Sequence, residues 1–299
     1  FLPIEEILNA ESLEVFQKYC FPGRKMKEAP NDYASYQSYL KMVWGYEDFK
    51  PGTQRPAIEK LLDTDRDILL KLPTGAGKSI IFHLPALLRA SYTNRLTVVI
   101  TPLQALMRDQ AEGLWRRNFI ETVDYLSGGR DSWLNHDVYQ GILDGRLHMV
   151  FVAPERFRVP QFLDVLERRR EMDDGLEFIV FDEAHCISEW GFEFRPDYLH
   201  AAQYVTERLK SKDLPGNPHR LLLTSATVTE RNRIDLEQEL SLGEEGQYEN
   251  LPEEIPHPIQ PYIRLESYDL VENPEAPTDD KLEKIIEIIQ VMDLDQSAV

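Results

Sequence analysis

The chain has 299 residues, 42% hydrophobic and 28% charged, which is enough for a sizeable core and one or two domains. No apolar run reaches the length of a membrane span, and its two cysteines, Cys20 and Cys186, form neither a disulfide framework nor a zinc-ligand spacing. The formal net charge of −19 argues against a uniformly basic nucleic-acid binder, but the acidity is concentrated: residues 235–299 hold 18 acidic against 3 basic side chains. That segment reads as a solvated charged surface, or as an acidic stretch that competes with nucleic acid or docks a partner. The chain begins at Phe1 with no signal-peptide pattern, so the expectation is a piece of a longer cytoplasmic protein, nucleoid-associated if bacterial.

In chain order, residues 1–45 form a mostly helical extension. "IEEILNAESLEVFQKY" keeps Ile4, Ile7, Leu8, Leu13, Val15 and Phe16 on roughly one helical face, and "FPGRKMKEAPND" reads as a loop. From residue 46 short apolar runs alternate with helical patterns. The runs are "DILLKL" (67–72), "LTVVIT" (96–101), "HMVFVAP" (148–154), "EFIVFDE" (177–183) and "RLLLTSA" (220–226). Helices are predicted over 78–91, 103–118, 136–144 and 159–171. Strands apolar on both sides and separated by helices imply an α/β fold, a mostly parallel sheet covered by helices on both faces. This domain is expected over 46–243, followed by an acidic, Pro-rich connector over 244–280 and an apolar helix, "KLEKIIEIIQVM", that opens a further segment at 281–299.

Two motifs carry chemistry. "LPTGAGKS" follows the first apolar run and opens a helix. Its glycines let the backbone curl so that several N–H groups converge, and the helix N-terminus adds partial positive charge, which together make a phosphate cradle. In this loop Thr74, Gly75, Ala76, Gly77, Lys78 and Ser79 are the candidate phosphate-binding residues. Lys78 would reach the β- and γ-phosphates, and the Ser79 hydroxyl would ligate Mg²⁺. "FIVFDEAH" delivers Asp182 and Glu183 at the end of a buried strand, where open α/β sheets bind ligands. Asp182 would hold the metal ion, and Glu183 would deprotonate the attacking water. His185 is placed to bond to "TSAT" (224–227), through which Ser225 and Thr227 could relay nucleotide state.

In this order the motifs resemble those of superfamily 2 helicases with a DEAH-type second motif, specifically the RecQ-like DNA helicases. The resemblance covers 46–240 and implies a first RecA-like motor domain using ATP and Mg²⁺. "GYEDFKPGTQRPAI" (45–58) is similar to the adenine-recognition motif, which implies that Tyr46 stacks on the base and Gln54 bonds to its edge. "TPLQALMRDQ" (101–110) and "VAPERF" (152–157) are similar to the two motifs that line the DNA track, which implicates Thr101, Pro102 and Arg108. "DEAHCISEWGFEFRPDY" (182–198) resembles the second motif with the aromatic loop that marks this family. By that resemblance Trp190 and Phe194 stack on single-stranded DNA and Arg195 contacts phosphate or the nucleotide. The sequence departs from the family in two places: "FKPGTQ" has one residue more before Gln54 than the usual "RPGQ", and Phe192 stands where histidine is expected.

The resemblance implies an ATP-dependent helicase or translocase acting on single-stranded or partly duplex DNA. Its partners would be a second RecA-like domain, beginning at 281–299, and possible further subunits of a larger complex. The acidic segment and Phe192 keep a second reading open: an ATP- and DNA-binding switch or scaffold of a bacterial defence or DNA-modification assembly, without unwinding.

Overall fold

The computed structural model describes residues 28–72, 75–188, 195–210, 219–226, 230–242 and 249–251. The chain divides into two units at Ile255/Pro256, and every described residue belongs to the first. The helical pattern at 4–16 and the segments at 252–280 and 281–299 lie outside the described residues.

The elements follow in this order: α1 (Tyr33–Trp44), α2 (Gln54–Asp63), β1 (Ile68–Lys71), α3 (Lys78–Thr93), β2 (Leu96–Ile100), α4 (Gln104–Leu114), β3 (Val123–Leu126), α5 (Ser132–Leu143), β4 (Met149–Val152), α6 (Pro160–Glu171), β5 (Leu176–Asp182), α7 (Pro196–Tyr204), β6 (Arg220–Ser225), α8 (Glu230–Glu239) and β7 (Glu249–Leu251). The seven strands form one sheet in the order β3-β4-β2-β5-β6-β1-β7, and every neighbouring pair is parallel.

The side-chain period of two sorts each strand between two cores. Leu96, Val98, Ile100, Ile179, Phe181, Leu221 and Leu223 point to the face covered by α5, α6, α7 and α8. Val99, Phe178, Val180, Ile68, Leu70 and Leu222 point to the face covered by α1, α2, α3 and α4. Burial on both sides is why the central strands read as unbroken apolar runs.

Helix α1 belongs to the second of these cores. Asp32 caps it by accepting the Ser35 N–H at 2.8 Å, and Gly45 ends it in the left-handed conformation, φ 74°. Between the caps Tyr36, Tyr39 and Leu40 are buried against the same apolar layer as α2 and α3.

Two strands carried no clear apolar run. β3 buries Val123 and Leu126 but leaves Asp124 and Tyr125 half-buried at the sheet edge. β7 lies in the stretch read as connector, where "ENL" pairs with β1 on the opposite edge.

Candidate nucleotide site

A parallel sheet brings all strand C-terminal ends to one side. Because β6 lies between β5 and β1, the loop after β1, the carboxylates ending β5 and the hydroxyls ending β6 become neighbours. The motifs meet through this order although Lys78 and Glu183 are 105 residues apart in sequence.

Gly75 and Gly77 of the phosphate loop adopt φ 76° and 79°, a conformation that favours glycine. A Cβ at Gly75 would meet nothing within 4 Å, so backbone conformation alone requires the glycine there. Gly77 is the N-cap of α3 and supplies no capping side chain, which leaves the first N–H groups of the helix for an anion. Lys78 Nζ lies 2.7 Å from Glu183 Oε1, with the two side chains 11% and 23% exposed. Ser79 follows, half-buried on the first turn. Positive-φ glycines, an uncapped helix start, a lysine and a hydroxyl form a donor set that fits a triphosphate with its cation.

Asp182 is 4% exposed. Its Oδ1 accepts the Thr224 hydroxyl at 2.6 Å, and its Oδ2 accepts from Gln110 Nε2 at 3.4 Å. Burial, reinforced by the charge of Glu183, raises its pKa above the ordinary carboxylate value, while the Thr224 bond and Lys78 pull the other way. The buried Tyr198 hydroxyl lies within hydrogen-bond reach of the backbone carbonyls of Ile100 and Asp182, between which its one proton is shared, joining the ends of β2 and β5. Glu183 has φ 54° and ψ 49°, left-handed for a residue with a side chain. Strain of this kind persists where surrounding structure enforces it, and it aims the carboxylate at Lys78. His185 Nδ1 lies 3.0 Å from Ser225 Oγ and 3.4 Å from Glu183 Oε2.

Tyr46 is 54% exposed. Gln54 is buried, and its Nε2 donates to the carbonyls of Gly77 at 3.2 Å and Ala76 at 3.4 Å. Lys50 Nζ donates to the Gly75 carbonyl at 3.2 Å.

On the other half of the same sheet end, Thr101 and Pro102 are buried, and Arg195 donates to the Pro102 carbonyl at 2.7 Å. Arg108 is on the exposed side of α4, paired with Glu112 at 2.6 Å, and borders a cleft of about 480 Å³ with Gln104, Tyr125 and Arg130. Thr74, Trp190, Phe194 and Thr227 lie outside the described residues. The structure adds Gln110, Tyr198, Thr224 and Lys50 to the site. All four were within quoted motifs, but the threonine's inward orientation depends on strand register and the glutamine's on helix docking.

A family model for DEAD/DEAH box helicases matches residues 52–236. The chain is 34% identical over 203 residues to the ATP-dependent DNA helicase RecQ of Pasteurella multocida, covering 68% of this chain and 29% of that protein. Identity to the probable ATP-dependent DNA helicase RecS of Bacillus subtilis is 32% over 256 residues, covering 85% and 45%. Identity to the ATP-dependent helicase SGS1 of Saccharomyces cerevisiae is 32% over 205 residues, covering 69% and 13%. The chain thus spans less than half the length of each of these relatives. Among solved structures, the DUF1998 helicase MrfA bound to DNA and AMPPNP is similar with a TM-score of 0.55 at 18% identity, over 77% of this chain and 30% of that one. That likeness concerns the fold, which is of the α/β RecA-like class. The chain belongs to the DEAD/DEAH box helicase family, as a RecQ-like member.

Proposed function

We propose that the chain is the first RecA-like motor domain of a RecQ-type, ATP-hydrolysing DNA helicase or translocase. The observation that carries this reading is the convergence of Lys78, Asp182, Glu183 and Thr224 from three adjacent strand ends. Its relatives' names, which describe ATP-dependent DNA helicases, support the choice of nucleotide and of nucleic acid.

In this reading Lys78 and the first N–H groups of α3 bind the phosphates, Ser79 and Asp182 hold Mg²⁺, and Tyr46 stacks on the base. When bound, ATP supplies the bond to be cleaved and Mg²⁺ offsets charge on the phosphates. Glu183 accepts the proton of the attacking water. The Lys78–Glu183 pair gives this assignment an order of events. A triphosphate competes for Lys78, and only when the lysine turns to it is Glu183 released to act as base. Thr224 holds the Asp182 carboxylate in one orientation. His185 and Ser225, with Thr227, carry the state of Glu183 toward a second RecA-like domain, which we assign to the chain beginning at 281–299.

DNA would run across the exposed ends of the strands near Arg108 and the aromatic loop of Trp190 and Phe194. Arg195 is anchored on the Pro102 carbonyl in the segment after β2. Phosphate contacts there set affinity without reading sequence. We assign 46–243 to the motor, with α1 packed onto it, and 244–280 to the connector. Further subunits of a larger complex would dock on the acidic segment.

The catalytic assignment is tested by Glu183→Gln. Loss of a general base lowers turnover by about 10² to 10⁴-fold, while ATP binding, measured by calorimetry, should remain. Turnover close to wild type would remove Glu183 from the mechanism.

A further inference from the structure

A carboxylate holds a cation well only when it is itself held in one orientation, and its hydrogen-bond partners do that holding. Both oxygens of Asp182 are engaged within the protein. Thr224, at the end of β6, donates to Oδ1 at 2.6 Å, and Gln110, on α4, donates from Nε2 to Oδ2 at 3.4 Å. The carboxylate keeps further lone pairs, so a cation or its bound water can still be taken up. Gln110 is held in turn: its Oε1 lies 3.1 Å from His83 Nε2, on α3. An amide oxygen only accepts, so in this pair the ring carries its proton on Nε2. That bond fixes which end of the amide faces Asp182. With the amide reversed, its oxygen would oppose the carboxylate and its NH₂ group would face a ring N–H.

The two supporting residues are themselves fixed by packing. His83 is 5% exposed, with the rings of Phe82 and Phe151 edge-on to it at centroid distances of 4.7 and 5.6 Å. Burial lowers its pKa to about 3, so the ring is neutral and has a single N–H to give. Met107, Ala111 and Leu114 bury one side of α4, which sets where Gln110 stands.

We propose that Gln110 and His83 are positioning residues for the Mg²⁺ ligand: Gln110 holds the second oxygen of Asp182, and His83 holds Gln110 in the orientation that donates. The proposal deepens the nucleotide-site reading above and rests on it. The line from His83 through Gln110 to Asp182 joins α3, which begins at the phosphate loop, to the carboxylate that ends β5. A pair that merely satisfied polar groups between α3 and α4 would matter for stability and not for the cation. The two roles therefore separate when nucleotide binding is measured with and without Mg²⁺.

The test is titration of the protein with the fluorescent, non-hydrolysable triphosphate N-methylanthraniloyl-AMPPNP, in saturating Mg²⁺ and in EDTA, for wild type, Gln110→Met and His83→Phe. Methionine keeps the length of the side chain without a donor, and phenylalanine keeps the ring without its N–H. Circular dichroism checks that each variant is folded. The expected result is an affinity in EDTA within about twofold of wild type and an affinity in Mg²⁺ about tenfold weaker or more, the usual effect of removing a partner that orients a metal ligand. Equal weakening in both conditions overturns the proposal, and so does an unchanged Mg²⁺ affinity in either folded variant. If one variant does not fold, the other decides; if neither folds, the pair belongs to the core and the proposal is overturned. Wild-type binding that Mg²⁺ does not strengthen removes the Mg²⁺ assignment and the proposal with it. Failure of wild type to bind in either condition would instead overturn the nucleotide-site reading itself.

Discussion

Asp182 is a buried carboxylate whose charge the fold holds at a cost. Its pKa is raised in the folded chain, chiefly by burial. The sign follows directly. A raised folded value gives a contribution to stability that is present below the ordinary carboxylate pKa and is lost as pH rises through the folded value. Asp182→Asn keeps an oxygen for the Thr224 hydroxyl and removes the charge. In the absence of nucleotide and Mg²⁺, the variant should melt a few degrees higher than wild type at pH 8. The gap should shrink as pH falls toward 4. The same substitution should abolish Mg²⁺-dependent ATP turnover. A variant that melts lower than wild type across this range would contradict the description of Asp182 as a buried charge whose burial outweighs its hydrogen bonds. Residue-level geometry was legible where a motif carries its own: Gly75, Gly77, Lys78 and the Asp182–Glu183 pair needed only a strand before and a turn after. The contact of Gln54 with the loop was not, because it depends on how the start of α2 docks against Gly77.

At the scale of elements, α1 is the informative case. Its sequence belongs to the stretch read as an extension, yet Tyr36, Tyr39 and Leu40 are buried in the core shared with β1, α2 and α3. Leu40→Ala should therefore destabilise the folded unit by about 2–5 kcal/mol, as for a fully buried leucine. Urea denaturation followed by circular dichroism measures it. A loss below about 0.5 kcal/mol would mean that α1 is only a peripheral addition. The central strands were legible because burial on both faces makes them unbroken apolar runs. β3 and β7 were not, because a strand at the sheet edge needs fewer apolar residues, and "VDYL" and "ENL" gain their places from pairing rather than from composition. Among the described residues no helix is long and apolar enough to cross a membrane.

At the scale of the whole molecule, three buried histidines make the fold acid-sensitive. Burial lowers the pKa of His83 to about 3 and those of His148 and His219 to about 4. A depressed folded value means that the neutral ring is favoured in the fold. The contribution is complete above the ordinary histidine value, near 6.5, and is lost as pH falls toward the folded value. Each such histidine adds about 1.4 kcal/mol of lost stability per pH unit within that window. Stability from urea unfolding should thus drop steeply between pH 6.5 and 5, and His148→Gln should flatten the slope by one proton's share. A pH-independent midpoint would contradict the burial of these rings.

The wider account joins these scales: parallel strands gather the motifs, the phosphate loop and Glu183 form one site, and that site is proposed to answer to DNA. Its most direct test is the rate of ATP hydrolysis by the purified full-length protein, with and without single-stranded DNA, in wild type and in Lys78→Ala. The account requires turnover that rises at least tenfold with DNA and is lost in Lys78→Ala. Turnover indifferent to DNA, or surviving the loss of Lys78, would contradict a DNA-coupled motor built on this loop.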